Sequence, residues 1–377
     1  MAIRFGMMSM AHVHAEGYAS ELEKKGLLAA IYDEDEGRGR EAAKKHGVEY
    51  FPDLDAFFNR VDAVLIASPT NLHLTYVKEA ASRGKHVLVE KPLAFKRAEA
   101  EQMVSYASRV TFGICFGSRL SPINAAVKGL ISAGTLGRVT FMRIRVAHSA
   151  ALDKWFPPGN WFIDKGRSGG GGLLDLGVHG VDLLYWLKGE PPTSVTGMTS
   201  RATSAYEIDD EGALIMAWPS GTMGVVEGAW TQRAGFNFLE VYGDLGTAVT
   251  GLPGHQLYVN IKGEWRDWPV EGHQISVIED FVQAVESGRK PIAPGSDGVV
   301  SAAIMEAAYA AKGIDIGLGR RLIQVGGFKG AKPRLSEPGT ASPFEGKFKL
   351  GGPFFKMPSS GRFLRHEERE PFSPAMS

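Results

Sequence analysis

The feature that most constrains this chain is an alternation in its first 120 residues, where short apolar runs are separated by charged stretches of helical length. The runs are Ile3–Met8, Leu27–Tyr32, Val48–Phe51, Ala63–Ala67, His86–Val89 and Thr111–Phe116. The stretches between them include Glu34–His46, Leu72–Arg83 and Lys96–Ser108. Runs this apolar read as strands buried on both faces, and strands joined through helices pair in parallel. The pattern predicts a doubly wound parallel sheet in an α/β domain over residues 1–120, with ligands beyond the carboxyl ends of its strands.

After about Pro122 the texture changes. A helical pattern at Ile123–Ala133 ends at Gly134 and gives way to strand-like segments at Val139–Ala147, Ser194–Thr203, Gly212–Trp218, Thr222–Trp230, Asn237–Tyr242, Gly246–Thr250 and Gln256–Ile261. These predict a second domain over 121–324, a large and mostly antiparallel sheet interrupted by a helix at Asp175–Leu187. Helical stretches follow at Ile275–Glu286, Val299–Lys312 and Arg320–Val325. Residues 325–377 hold 8 Gly and 7 Pro without a period, yet carry 7 of the 20 Phe. They are expected to form an extended arm packed on the body or on a neighbouring subunit.

Charge narrows the function classes. With 42 Lys+Arg against 42 Asp+Glu there is no basic field to attract nucleic acid or an anionic membrane. No apolar run approaches the roughly 18 residues of a membrane span. A single cysteine, Cys115, allows neither an internal disulfide nor a cysteine-rich zinc site, so a reducing cytoplasm is the expected compartment.

Two regions carry candidate chemistry. The segment after the first strand, Gly6-Met7-Met8-Ser9-Met10-Ala11-His12-Val13-His14, occupies the place of a dinucleotide fingerprint but lacks its glycines. The second strand ends at Asp33, about 24 residues past Ser9, where a carboxylate can hold ribose hydroxyls; capping a helix is its alternative role. Glu34 and Asp35 would repel a 2′-phosphate, so NAD is expected over NADP. Lys91 follows a buried strand and precedes Pro92, which places it at the ligand edge; a surface pair with Glu90 is the plainer alternative. In the second domain, Gly169–Gly172 leads into Asp175, His179 and Asp182, which share a stripe at i, i+4 and i+7 beside the apolar Leu174, Val178, Val181 and Tyr185. A histidine flanked by carboxylates, which orient it and raise its pKa, suits proton transfer.

These pieces together resemble the glucose–fructose oxidoreductase/inositol dehydrogenase family (Gfo/Idh/MocA) over about residues 1–325. The matching motifs are Ala67–His73, Gly84–Pro92, Gly170–Asp182, Val241–Thr247 and Asp280-Phe281 before Gly288-Arg289. The resemblance implies a Rossmann domain followed by an α/β domain with a large open sheet. It implies NAD(P)-dependent oxidation of a secondary alcohol on a sugar, inositol or related polyol, and a homodimer or homotetramer formed through the sheet, with the arm as a further candidate contact. By position, Lys91 corresponds to the residue that polarises the reacting oxygen, His179 to the proton-transferring base and Asp175 to its partner. Ser9, Met10, His12, Asp33, Ser68, Asn71, His73, Glu90 and Trp161 would line the cofactor site, and Arg119 and Asp182 would approach the substrate.

The departure is the first loop, about three residues short, with His14 at a position where the family often has histidine and His12 unexpected. It leaves three outcomes open: NAD bound with fewer backbone contacts, an altered cofactor mode, or lost activity. Separate alternatives are a redox-neutral glycosidase-type enzyme that retains NAD and a non-catalytic nucleotide-sensing or scaffold protein. Metal-assisted chemistry by His12, His14, His179 and Asp175 is a further alternative, though no dense ligand motif supports it and no metal is expected.

Overall fold

The computed structural model describes residues 3–233 and 237–311. Its first part runs β1 (Phe5–Met8), α1 (Ala15–Lys24), β2 (Leu28–Tyr32), α2 (Glu36–His46), β3 (Glu49–Tyr50), α3 (Leu54–Arg60), β4 (Ala63–Ile66), α4 (His73–Ser82), β5 (His86–Val89), α5 (Arg97–Tyr106) and β6 (Phe112–Ile114). The six strands pair in parallel in the order β3-β2-β1-β4-β5-β6. Every residue of β1 and β4 is buried, as the continuous apolar runs require. The chain reverses its direction of growth between β1 and β4, which opens a crevice at their carboxyl ends. Local chemistry sets the helix ends: the Asp35 side chain accepts the Arg38 N–H at the start of α2, and Gly47 closes it at φ 66°.

The second part runs α6 (Pro122–Ser132), β7 (Val139–Ala147), α7 (Lys165–Ser168), α8 (Val178–Lys188), β8 (Ser194–Ser200), β9 (Glu211–Ala217), β10 (Met223–Ala229), β11 (Phe238–Gly243), β12 (Gly246–Thr250), β13 (Leu257–Ile261), β14 (Glu264–Asp267), α9 (Val277–Ser287) and α10 (Gly295–Ala310). Its eight strands are ordered β14-β13-β12-β11-β7-β10-β9-β8. All neighbours are antiparallel except β7 and β10, a parallel pair at the centre. Helix α8 covers one face, close enough that a Cβ at Gly180 would meet Val226 at 2.7 Å and Ile144 at 2.8 Å. The opposite face carries exposed Met198, Ile215, Met223, Tyr242 and Trp265, which the register places on the same side. Exposed apolar side chains gathered on one face mark an interaction surface.

Strand positions follow the sequence pattern closely. The pattern assigns no element to α1, α3, α7 or β14, which are short or strongly charged. The helix expected at Arg320–Val325 and the arm at 325–377 lie outside the described residues.

The chain enters α8 through one π-helical turn, Leu173–Gly177. This turn is held by a distant loop, where the Asp209 carboxylate accepts the N–H groups of Gly171 (2.9 Å) and Leu173 (3.2 Å) and the Tyr309 hydroxyl (2.9 Å). The glycine run permits that approach, since a Cβ at Gly171 would lie 1.9 Å from the Asp209 carbonyl oxygen. Gly171→Ala is therefore expected to cost more than about 2 kcal/mol. Gly129→Ala on α6, where nothing lies within 4 Å of the added carbon, should stabilise by about 0.5–1 kcal/mol. Denaturant midpoints of the two variants check both signs.

Candidate active site

The end of β5 delivers Glu90 and Lys91 to the carboxyl edge of the parallel sheet, both buried and not the surface pair that a lone Glu-Lys dipeptide would form. Lys91 Nζ reaches across to the π turn and donates to Asp175 Oδ1 at 2.6 Å and to its carbonyl oxygen at 3.1 Å. The other oxygen, Asp175 Oδ2, accepts the Trp230 indole N–H at 2.8 Å. Burial alone would raise the Asp175 carboxyl, but Lys91 and Trp230 overturn that and hold it well below the usual carboxylate range. Trp230 follows β10 directly and carries no motif that singles it out in the sequence.

His179 is the second residue of α8, with its ring 6.3 Å from that of Phe116. Burial and then the charge of Lys91 push it down to about 3, against the opposing pull of Asp175 and Glu90. It is thus a neutral base at pH 7. The expected Asp175–His179 partnership is corrected here: both Asp175 oxygens are taken by Lys91 and Trp230, and the shift of His179 is downward, not upward. The physical reason is the π turn, whose wider winding takes Asp175 off the ideal α-helical stripe. Asp182 does not join them either. It accepts Arg119 at 2.9 and 2.6 Å, and Arg119 also donates to Asp297 at 2.7 Å and to the Ile292 carbonyl at 2.9 Å. This buried cluster ties the segment after β6 to α8 and α10, so the structure gives Arg119 and Asp182 a bracing position. His148, unnoticed in the sequence, joins the site at the end of β7, its ring stacked on Trp155 at 4.7 Å. Burial lowers its pKa, and Asp175 and Lys91 are close enough to add opposing contributions.

The loop after β1 is braced from several directions. Ser9 takes the left-handed conformation, φ 72°, that a glycine would supply. The Met10 N–H donates to Asp33 Oδ2 at 2.7 Å and the His12 N–H to the Ala67 carbonyl at 2.9 Å. Trp161 donates its indole N–H to the Ala11 carbonyl at 3.0 Å, and its ring stacks on Phe162. Asp33 does not cap α2. Its carboxylate also accepts the Asp35 N–H and a bidentate pair from Arg38 at 2.6 and 2.8 Å. Arg38 is thus a half-buried cation paired to the carboxylate at the end of β2, and no motif singles it out in the sequence. On the β4 loop Ser68 is buried, its hydroxyl donating to the Pro69 carbonyl at 3.1 Å, and Asn71 is exposed on the turn that follows. His73 sits between the Leu93 and Ser68 carbonyls at 3.1 and 3.2 Å, joining the β4 and β5 loops.

A parallel sheet with a switch-point crevice, beside a second sheet whose covering turn and helix bring an acid and a histidine to its lysine, defines a dinucleotide-fold oxidoreductase. Residues 5–111 match the oxidoreductase family, NAD-binding Rossmann fold, and residues 124–249 match the GFO/IDH/MocA C-terminal domain. The chain belongs to the GFO/IDH/MocA family of oxidoreductases. It is 29% identical over 327 residues to the rhizopine catabolism protein MocA of Rhizobium meliloti, covering 80% of this chain and 91% of that protein. It is 26% identical over 316 residues to scyllo-inositol 2-dehydrogenase (NAD(+)) of Bacillus subtilis, covering 78% and 89%. Its fold is similar to that of aldose-aldose oxidoreductase from Caulobacter crescentus complexed with glycerol, with a TM-score of 0.73, 22% identity, and coverage of 82% and 97%.

The residues present fit a dinucleotide at the switch point. Thr70 Oγ1, on the loop after β4, is one of three buried side-chain polar atoms without a partner among the described residues. An orphaned hydroxyl at this edge calls for a ligand atom, and Arg38 pairs with Asp33 at the end of the neighbouring strand. The buried, neutral His12 and His179 set a pH dependence. Unfolded histidine titrates near 6.5, whereas these two are lowered to about 3. The unfolded chain therefore binds more protons between those values, and stability falls as pH drops through that window. Each group contributes up to about 1.4 kcal/mol per pH unit. Denaturant midpoints should fall between pH 7 and 5, and His179→Asn should flatten the slope.

Proposed function

We propose that this protein is an NAD-dependent dehydrogenase that moves a hydride between nicotinamide and a secondary alcohol or ketone of a sugar, inositol or related polyol. The observation that carries this reading is the Lys91–Asp175 contact at 2.6 Å, which fixes a cation at the carboxyl edge of the sheet with a neutral His179 on the adjoining turn. Hydride leaves carbon as the hydroxyl proton leaves oxygen, so two tasks fall to the protein. Lys91 stabilises the alkoxide charge that develops on the reacting oxygen. His179, unprotonated across the neutral range, receives the proton. Asp175 and Trp230 hold the ammonium in place so that little reorganisation accompanies reaction.

The bound dinucleotide supplies the hydride acceptor, which no side chain can provide. Arg38, with Asp33 behind it, would meet the adenosine ribose; Ser9, Met10, His12, Ser68, Thr70 and Asn71 line the edge where phosphates would pass, with Glu90, His73 and Trp161 around the nicotinamide end. Asp33 and Glu34 both pair with Arg38 at hydrogen-bond distance. That neutralisation favours NAD over NADP, whose 2′-phosphate needs a free cation. Rim charges aside, a neutral polyol suits this neutral chain better than a phosphorylated one.

Lys91→Met is expected to lower kcat on the order of 10²–10³-fold while thermal-shift affinity for NAD persists. NADH accumulation with a panel of neutral sugars and polyols checks the reaction, and product formed without net NADH would sink the dehydrogenase reading in favour of a redox-neutral one.

The open face of the eight-stranded sheet supports the further reading of a homodimer or homotetramer. There Arg143 and Arg145 share Glu227 and lie over the Phe238 ring, flanked by the exposed apolar residues named above. Ile215→Glu should shift the mass measured by light scattering to that of a smaller species without unfolding the chain. Among the described residues no helix is long and apolar enough to cross a membrane, and the single cysteine is buried. The low cysteine count of the sequence fits a reducing compartment, and a cytoplasmic location is proposed on that ground.

A further inference from the structure

We propose that His12, His14 and Glu90 form a binding site for a divalent first-row transition-metal ion, with zinc the best-matched probe. The three residues come from the braced β1 loop and from the end of β5, elements separated in the sheet by β4. His14 Nδ1 lies 2.8 Å and His12 Nδ1 3.5 Å from the same atom, Glu90 Oε1. One ligand atom from each residue falls within 4.8 Å of the others. An ion bound at about 2.0–2.2 Å places neighbouring donors roughly 3–3.5 Å apart, so modest side-chain adjustment closes the set.

Three further observations point to a ligand here. The Glu90 side chain is fully buried and spends Oε2 on the Lys91 N–H at 2.8 Å, which leaves Oε1 facing the two imidazoles. The ammonium of Lys91, the nearest permanent cation in sequence, is committed to Asp175. Next, the His12 ring is almost completely buried, packed near Trp161 and Phe162, and the nitrogen it turns toward Glu90 is Nδ1, which accepts the His14 backbone N–H at 3.1 Å. That acceptor role places a lone pair on Nδ1, the nitrogen a metal ion would take. Finally, the loop itself is shaped to converge: the His12 N–H to Ala67 and the Met10 N–H to Asp33 pin it on both sides.

Coordination would replace the weak contact from the His14 N–H to His12 Nδ1 (3.1 Å), while the Tyr18 hydroxyl, 2.7 Å from Glu90 Oε1, orients the carboxylate from outside. Two nitrogens and one carboxylate oxygen, with His14 about half exposed, match sites that keep one position open for water or a ligand oxygen. Glu90 immediately precedes Lys91 in the chain. The proposal does not depend on the substrate reading, because the site stands on donor geometry alone.

The test uses tag-free, full-length protein. Metal content is measured on the purified chain, and the chelated chain is then titrated with Zn²⁺ by calorimetry and with Co²⁺ by visible absorption. One ion per chain is expected, with Co²⁺ bands of low-coordinate N/O ligation. His12→Ala and His14→Gln should each weaken Zn²⁺ binding by more than about tenfold, and His255→Ala, on the remote edge of the second sheet, should leave it unchanged. Half-exposed His14 serves as the variant least exposed to misfolding, with circular dichroism as its check. A folded chain that takes up neither ion, or uptake that survives the His12→Ala/His14→Gln double change, overturns the proposal.

Discussion

The contact between Lys91 Nζ and Asp175 is where the two sheets become one site. Lys91 is fixed by the end of a strand in the parallel sheet, and Asp175 by a π turn packed on the central strands of the other. Taking both charges from water is costly, and their attraction offsets that only when the remaining lone pairs are satisfied. The Trp230 indole and the second contact, to the Asp175 carbonyl, provide that satisfaction. Removing either charge would strand the other, so the pair specifies one arrangement of the domains as much as it stabilises it.

That constraint accounts for the elaborate support of a single turn. Asp209 and Tyr309 cap it from two directions, and the glycines before it bring backbone within contact of the Asp209–Asp210 carbonyls. Behind it, the Arg119–Asp182–Asp297 cluster locks α8 to α10 and to the segment following β6. The residues that perform chemistry are few, and the polar residues that aim them are drawn from the whole length of the described chain.

The β1 loop shows a different economy. Ser9 supplies the left-handed turn that glycine would otherwise provide, and most loop N–H groups bond within the protein: Met10 to Asp33, Ala11 to the Ser9 hydroxyl, His12 to Ala67 and His14 to the His12 ring. A bound dinucleotide would draw correspondingly less on this loop. The shortened segment has instead gathered two imidazoles around a buried carboxylate.

Much of the fold was legible in the residues. Continuous apolar runs mark buried parallel strands because both faces must be covered, and alternation marks the half-buried strands of the second sheet. A charged residue directly after such a run, as Lys91 is, points to the ligand edge, although a surface pair with Glu90 is the plainer reading until packing decides. The ideal stripe of Asp175, His179 and Asp182 was less dependable, since spacing assumes 3.6 residues per turn and a π turn breaks that assumption. Trp230, His148 and Asp209 had no signal, because each acts through a partner tens of residues away. What the sequence by itself determined is the order of strands and helices and which polar residues terminate them, both consequences of local periodicity and burial. Which carboxylate serves the lysine, which braces the helix, and which lies between two histidines was decided only by tertiary structure, because all are chemically alike until packing fixes their neighbours.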